Sequence, residues 1–294
     1  MEQAFSGIFA PVLTPIKDGS VATEIISESV KFTQACGCHG LIAAGTGVQE
    51  TVSLTVDERK KIISGAIKAA DERPVLAGVS HPSTHITLEL AAYAETAGAD
   101  GILAMPPWGL SPGNDAVISY YESLVEATDL PILLYNNPTV TVDLSTETMR
   151  RIARLENVEY VKETSRNWKK LAWLIEHVDN AGLASVFGTM DVLLPVMEAG
   201  GHGAVIPAPA STPAMRVYEA FQNGDREAAG EAQRAFVDFP PDEVNTSLMP
   251  AVKAAANLSG VPLGPPRPPY QPVSDEGQTA IQQWLEREDV PSLE

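Results

Sequence analysis

Cysteine is nearly absent. The chain holds two, Cys36 and Cys38, too close for an unstrained bridge and too few for a disulfide framework or a structural zinc site. They fit a reducing compartment. Long apolar runs are missing as well: no stretch reaches 18 residues, and the start, Met1-Glu2-Gln3-Ala4-Phe5, has no basic region leading into an apolar run. Neither a membrane span nor a signal peptide is expected, which predicts a cytoplasmic protein with no membrane partner. Basic residues are scarce against acidic ones, 20 to 38, giving a net charge of −18. Such a field repels nucleic acid and anionic lipid. The acids, Asp57, Glu58, Glu122, Glu126, Glu147, Glu156, Glu286 and Glu288 among them, are scattered rather than blocked, as on a solvated surface.

What is present is enough for a large core. At 294 residues and 44% hydrophobic content, a folded chain buries about three quarters of the surface its unfolded form exposes. Length alone suggests two domains, yet α/β barrels run to about 250 residues as one. The pattern decides. Eight short apolar runs, over 8–13, 40–44, 74–79, 101–105, 131–135, 158–162, 185–188 and 203–207, read as strands apolar on both faces, as parallel sheets require. Helical segments separate them, over 24–36, 56–70, 84–97, 116–128, 145–155, 168–178, 191–199 and 213–223. Thr55-x-x-Glu58 and Ser145-Thr146-Glu147 supply helix starts.

An internal echo supports the count. Gly37-Cys38-His39-Gly40, Gly98-Ala99-Asp100-Gly101 and Gly201-His202-Gly203 each put a glycine after a helix and a second one entering an apolar strand. The first suits a left-handed C-cap, the second a close approach of backbones. Eight repeated units predict an α/β fold, the closed (β/α)8 TIM barrel, over residues 1–224. Residues 225–294 read as a C-terminal helical extension of the same domain, with helices over 228–239, 243–259 and 275–286. The proline run over 264–269 reads as a stiff connector.

In such a barrel the chemistry gathers at the C-terminal ends of the strands. Lys162 ends the run Val158-Glu159-Tyr160-Val161-Lys162, and period 2 places Tyr160 and Lys162 on one face, Val161 on the other. Burial lowers a lysine pKa. At the ordinary value near 10.4, roughly one amine in 2,500 is neutral at pH 7; near 8, about one in ten is. That gain suits a nucleophile attacking a ketone. The plain alternative is an amine paired with Glu163 or Glu50. Tyr135 ends the preceding strand, so its phenol is expected beside the amine, able to exchange protons with a carbinolamine or a developing alkoxide; a core tyrosine with a satisfied hydroxyl is the alternative. After the second strand, Gly45-Thr46-Gly47-Val48-Gln49-Glu50 offers glycines and backbone N–H groups for a carboxylate. It has neither the lysine of a P-loop nor the third glycine of a dinucleotide fingerprint.

Taken in order, these residues resemble a known set. Phe9-Ala10-Pro11-Val12-Leu13-Thr14-Pro15, Leu54-Thr55-Val56-Asp57-Glu58-Arg59, Tyr135-Asn136-Asn137-Pro138, then Val161-Lys162-Glu163-Thr164-Ser165 with its lysine 27 residues after the tyrosine, Gly188-Thr189-Met190-Asp191 and Gly200-Gly201-His202-Gly203 are similar to the successive motifs of the dihydrodipicolinate synthase and N-acetylneuraminate lyase family. The similarity runs along essentially the whole chain. It implies a (β/α)8 barrel, usually a homotetramer, with a homodimer the smaller option, and a class I lyase or aldolase that forms a lysine Schiff base with pyruvate or another 2-oxo acid, with no metal and no separate cofactor. By position, Lys162 is the Schiff-base lysine and Tyr135 the proton-relay phenol. Thr46, Gly47 and Val48 bind the carboxylate, and Val205 and Ile206 sit beside the pyruvyl portion. Gly188, Val140 and Trp108 complete the substrate-binding set.

The departures narrow the expectation. The family loop reads Gly, Thr or Ser, any residue, Gly, Glu; here it can be anchored on Thr46 or on Glu50, but not on both without an extra residue. Dihydrodipicolinate synthases carry an arginine two residues after the proline of the tyrosine motif, where this chain has Val140, and a tyrosine pair after the fourth strand, where it has Met105-Pro106-Pro107-Trp108-Gly109-Leu110. Lysine biosynthesis is disfavoured. A less charged second substrate, or a dehydration that needs none, fits better.

Two rivals stand beside this reading. His81-Pro82-Ser83-Thr84-His85 could place two imidazoles near a divalent ion for a metal-dependent aldolase or isomerase, although Pro82 spoils a simple helical pair and no carboxylate cluster accompanies it. A barrel with an altered threonine loop could also bind a 2-oxo acid as a non-catalytic sensor; retention of Tyr135 and Lys162 argues against that. His39, His202 and both cysteines fall at the opposite rim, where a structural role is expected.

Overall fold

The apolar runs bury nearly every residue they contain, on both faces, and pair in parallel. The computed structural model describes residues 5–109, 112–236, 238–241, 244 and 247–293. Its barrel strands are β1 (Gly7–Pro11), β2 (Gly40–Ala43), β3 (Val75–Gly78), β4 (Gly101–Ala104), β5 (Ile132–Asn136), β6 (Val158–Glu163), β7 (Ser185–Gly188) and β8 (Gly203–Val205). They follow sequence order around a closed ring, β8 pairing back onto β1 through Gly7↔Gly203 and Phe9↔Val205. This is the (β/α)8 TIM barrel. A short antiparallel hairpin, Ile16–Lys17 with Ser20–Val21, follows β1.

Alternation divides the strand residues between two apolar clusters. Phe5, Phe9, Ile42, Leu76, Leu103, Leu133, Tyr135, Tyr160, Phe187 and Val205 fill the interior. Ile8, Ala10, Leu41, Ala43, Ile102, Leu134, Val161 and Val186 face the helices. The interior is plugged by aromatic rings, Phe9 against Phe187 and Phe5 against Tyr160. Gly40 makes room for that plug: a Cβ there would lie 2.2 Å from the Phe9 ring. On β6 the alternation is interrupted. The register steps from Ile132↔Val158 to Leu133↔Tyr160, so a bulge at Glu159 leaves Val158 outside and turns Tyr160 inward.

The helices α1 (Ile26–Ala35), α2 (Val56–Ala69), α3 (Thr84–Ala97), α4 (Asn114–Ala127), α5 (Thr146–Ile152), α6 (Trp168–Leu174), α7 (Leu193–Glu198) and α8 (Ala208–Gln222) alternate with the strands. Thr55 caps α2 as its sequence predicts, accepting from the Glu58 N–H, and Ser145 caps α5 through the Thr148 N–H. Several boundaries differ from the sequence pattern. The segment over 168–178 is α-helical only to Leu174 and finishes as a π-turn, Ile175–Asp179. The helix expected from Pro213 opens earlier, at Ala208, and carries Pro213 inside it. At the first two glycine joints Gly37 and Gly98 hold φ of +91° and +86°, but at the third the left-handed residue is Gly200 at +101°, one position before the expected Gly201.

Beyond the barrel lie α9 (Arg226–Gln233), a 3-10 turn over Arg234–Phe236, α10 (Leu248–Leu258) and α11 (Asp275–Arg287). Glu243, the expected start of the middle helix, lies outside the described residues. α9 packs on α8, α11 on α10, and α10 on the loop that follows β2.

Candidate active site

The register of β5 and β6 pairs Tyr135 with Lys162 and Asn136 with Glu163. Alternation then sends the first pair toward the barrel axis and the second toward the helices. On the outer side, Asn136 Nδ2 donates to Glu163 Oε2 at 2.9 Å and to Asp143 at 3.0 Å, the Ser165 N–H donates to Glu163 Oε1 at 2.6 Å, and Lys170 from α6 pairs with both carboxylates. Glu163 is fully buried and fully occupied. The other carboxylate that the sequence offered to Lys162, Glu50, is paired with Lys253.

Lys162 therefore has no carboxylate partner among the described residues. It is 4% exposed, its Nζ lies 4.1 Å from the centre of the Tyr135 ring, and burial alone pulls its pKa down to about 7. An amine in that condition is half neutral at neutral pH. Burial pushes the Tyr135 phenol the other way, up to about 12, against an opposing hydrogen bond in which Asn137 Nδ2 donates to its oxygen at 2.9 Å. The Thr164 hydroxyl, also beside the phenol, is buried and stops short of hydrogen-bond geometry.

Asn137 is a residue that the sequence pattern did not single out. Its Oδ1 accepts from the Thr139 N–H at 3.2 Å and the Thr139 hydroxyl at 2.7 Å. A backbone N–H can only donate, which fixes the carboxamide orientation and turns Nδ2 to the phenol. The phenol oxygen accepts this bond, and its own proton has no acceptor among the described residues.

The walls are apolar. Val205 belongs to the interior cluster beside Met105, and Trp108 and Val140 pack against it half-buried. Ile206 does not join them. Alternation at the end of β8 turns it into the outer cluster, fully buried, with its N–H donating to the Phe9 carbonyl. Gly188 also looks outward: a Cβ on it would meet Val196 of α7 at 2.9 Å, so it could offer substrate only its backbone. Leu110, last of the Met105 motif, lies outside the described residues.

The loop after β2 is a 3-10 turn, Gly47–Gln49, with Thr46 at its head. Its internal bonds begin with Gln49 N–H to Thr46 O and Glu50 N–H to Gly47 O, which leaves the Gly47 and Val48 N–H groups at its open end. Thr46 itself is buried and its hydroxyl donates to Gln49 Oε1 at 3.2 Å. Gln49, which the motif comparison passed over, holds the turn from behind. Its Oε1 accepts from the Gly45 and Thr46 N–H groups, and its Nε2 donates to the carbonyls of Val12 and Ile42. Gly78 lets this loop lie on β3, since a Cβ there would fall 2.0 Å from the Gly45 Cα.

The histidines stand apart from this geometry. His81 Nδ1 accepts from the Ser83 N–H and its ring lies 6.3 Å from that of Trp108, while His85 is exposed on α3. No group of three or more His, Cys, Asp or Glu able to hold a metal occurs among the described residues. At the opposite rim His39 accepts from the Ile8 N–H, and His202 pairs with Asp179.

Comparison with known proteins places this arrangement. The profile of the dihydrodipicolinate synthetase family matches residues 4–288. The 4-hydroxy-tetrahydrodipicolinate synthase of Methanococcoides burtonii is 30% identical over 288 residues, covering 96% of this chain and 97% of its own. An uncharacterized DapA-like lyase of Halobacterium salinarum is 30% identical over 282 residues, 94% of this chain and 91% of its own. Among solved structures, a dihydrodipicolinate synthase from Thermotoga maritima superposes with a TM-score of 0.90 at 27% identity, over 98% of this chain and all of its own. YagE, a prophage protein of the dihydrodipicolinic acid synthase family from E. coli K12 in complex with pyruvate, gives 0.90 at 25% identity over 98% and 100% of the two chains. Family members are class I lyases that act on pyruvate through a covalent lysine imine, without a metal or separate cofactor. With its profile spanning the barrel and both strand ends that carry Tyr135 and Lys162, this chain belongs to the dihydrodipicolinate synthetase family.

Proposed function

We propose that this chain is a cytoplasmic class I lyase in which Lys162 forms a Schiff base with pyruvate or a related 2-oxo acid, and that it catalyses reversible aldol cleavage or a dehydration of the adduct. The observation that carries the reading is an amine buried at the end of β6 with no carboxylate partner among the described residues, beside a phenol whose proton has no acceptor among them. The neutral Nζ attacks the C2 carbonyl carbon. Tyr135 gives its proton to the carbonyl oxygen and takes one from the attacking nitrogen, which leaves a neutral carbinolamine. A second transfer from the phenol lets the hydroxyl depart as water and leaves a protonated imine. That cation draws electrons from the C3–C4 bond as the phenolate takes the C4 hydroxyl proton, releasing an aldehyde and an enamine. In a dehydration the phenolate instead takes a C3 proton, which turns the protonated imine into the enamine, and the phenol then returns that proton to the C4 hydroxyl, which leaves as water and restores a conjugated protonated imine.

The carboxylate of the 2-oxo acid would sit on the Gly47 and Val48 N–H groups. Trp108 and Val140 offer the far end of the site no charge, and Val140 stands where dihydrodipicolinate synthases carry an arginine. An aldehyde, or no second substrate, suits such a wall. Assembly as a homotetramer or homodimer belongs to the same reading and is checked by light scattering.

Borohydride reduction in the presence of pyruvate is expected to add a reduced pyruvyl group to the Lys162 peptide, detected by mass, and Lys162→Met to abolish it. An unmodified Lys162 peptide in the wild-type chain would remove the Schiff-base reading. Turnover over a panel of 2-oxo-3-deoxy sugar acids, sialic acid and hydroxybenzylidene-pyruvate-type compounds then identifies the product class; binding without turnover of any would favour a sensor.

A further inference from the structure

The turn that carries Gly47 and Val48 is tied down from behind by the far end of the chain. Glu50 closes the turn at φ +58° and ψ +21°, a left-handed conformation that side chains other than glycine rarely adopt. It also opens the next 3-10 turn, Thr51–Ser53, its carbonyl accepting from the Ser53 N–H and hydroxyl. A glycine would hold that backbone without strain, so a glutamate there points to a use for its side chain. That side chain is 1% exposed and both oxygens are taken. Oε1 accepts from Lys253 Nζ of α10, and Oε2 accepts from the Arg267 N–H at 2.7 Å.

Lys253 is 2% exposed and faces the turn across which α10 packs. Arg267, in the proline-rich segment, extends the clamp by donating to the carbonyls of Ser53 at 2.8 Å and Gly19 at 2.9 Å and by pairing with Glu58 of α2. The exposed side of the turn is left open. Gly47 is exposed and Val48 half-buried, whereas Thr46, Gln49 and Glu50 are buried. Replacing a buried ion pair by an apolar pair of the same shape is often neutral or stabilising, and the best-attested use of such a pair is to fix one arrangement among several.

We propose that the Glu50–Lys253 ion pair is a positioning device by which α10 fixes the β2 turn so that the Gly47 and Val48 N–H groups meet the carboxylate of the 2-oxo acid. It rests on the Schiff-base reading of Lys162 given above, and it assigns to the C-terminal segment a part in substrate recognition. Neither Glu50 nor Lys253 touches the substrate. Both act through the turn.

The test separates carboxylate recognition from imine chemistry. Borohydride trapping at Lys162 is titrated with pyruvate and with hydroxyacetone, a ketone without the carboxylate, in the wild-type chain, in Glu50→Gln, in Lys253→Met and in the double variant Glu50→Leu/Lys253→Met. The double variant strands no buried charge, so it keeps the fold testable. The half-saturating pyruvate concentration is expected to rise tenfold or more in each variant while that for hydroxyacetone moves less than twofold and the maximal trapping rate is kept. The double variant is expected to lose no more than either single change, because the two residues work as one unit. Parallel weakening of both ketones, or an unchanged ratio between them, overturns the positioning role while leaving the Schiff base intact. Failure of both ketones to label the wild-type chain overturns the Schiff-base reading and this inference with it.

Discussion

Lys162 has lost its water and gained no counter-ion among the described residues, which bears on both reactivity and stability. For reactivity, the proposed mechanism has the group attack as the free amine, so the rate of imine formation with pyruvate is expected to rise through a pH near 7 and then level off. Tyr135, held up to about 12 by burial, keeps its proton across that range and imposes no alkaline fall below about pH 11. A stopped-flow pH profile of imine formation checks both limbs. For stability the sign is the reverse of a salt-bridged lysine. The folded pKa lies below the ordinary value, so the folded state resists protonation, and the penalty is fully present below pH 7 and fades as pH rises toward 10.5. Lys162→Met is therefore expected to be more stable than the wild type by ~2–5 kcal/mol at pH 6, the margin shrinking steadily up to pH 10. Denaturant titrations at the two pH values measure it. Asn137 belongs to the same scale. Replacing it by leucine takes away the donor to the phenol oxygen, which is expected to slow imine formation by about tenfold to a hundredfold while leaving the amine limb of the profile near pH 7. The lysine itself was legible because an amine at the end of an apolar strand is anomalous. Its isolation was legible only in part: alternation turns Glu163 away, but the partner that removes Glu50 lies 203 residues further along the chain.

At the level of elements, the ends of β5 and β6 are locked to α6 by Asn136, Asp143, Glu163 and Lys170. This lock holds Tyr135 and Lys162 in register on the opposite face of the same strands. Because Glu163 is fully buried, removing its cation leaves a charge without water. Lys170→Met is expected to cost about 3–5 kcal/mol in urea unfolding, and Glu163→Gln, which keeps the shape and removes the charge, clearly less. The strands themselves were readable, since continuous apolar runs of four to six residues bounded by glycine or proline fit few other structures. The bulge at Glu159 was not, because Val158 and Tyr160 are both apolar and period 2 sends them to one face. Only the pairing of β6 with β5 turns one out and the other in. The third glycine joint was misplaced by one residue for a similar reason: Gly200 and Gly201 are both free to take positive φ, and the end of α7 decides between them.

Taken whole, the molecule sets a net charge of −18 against the 2-oxo acid anion that the proposed function requires it to bind. Repetition of strand and helix made the barrel readable from composition and period alone. The return of the C-terminal segment onto the β2 loop was not, since nothing local to Lys253 or Arg267 names Glu50 and Glu58 as their partners. That return bears on the charge as well, because it spends two of the 20 basic residues on neighbouring carboxylates, so that in the proposed function the anion is met by backbone N–H groups and Lys162. Attraction at the site is therefore short-ranged, and the long-range field opposes approach. Salt screens the second far more than the first, the Debye length falling from about 30 Å at 0.01 M to about 8 Å at 0.15 M. Raising ionic strength across roughly that interval is expected to increase the second-order rate of Lys162 imine formation with pyruvate, by a few-fold, and to leave that with hydroxyacetone unchanged. A fall in the pyruvate rate over the same interval would mean that the potential at the mouth is positive, with cations near the β2 turn outweighing the acidic surface around them.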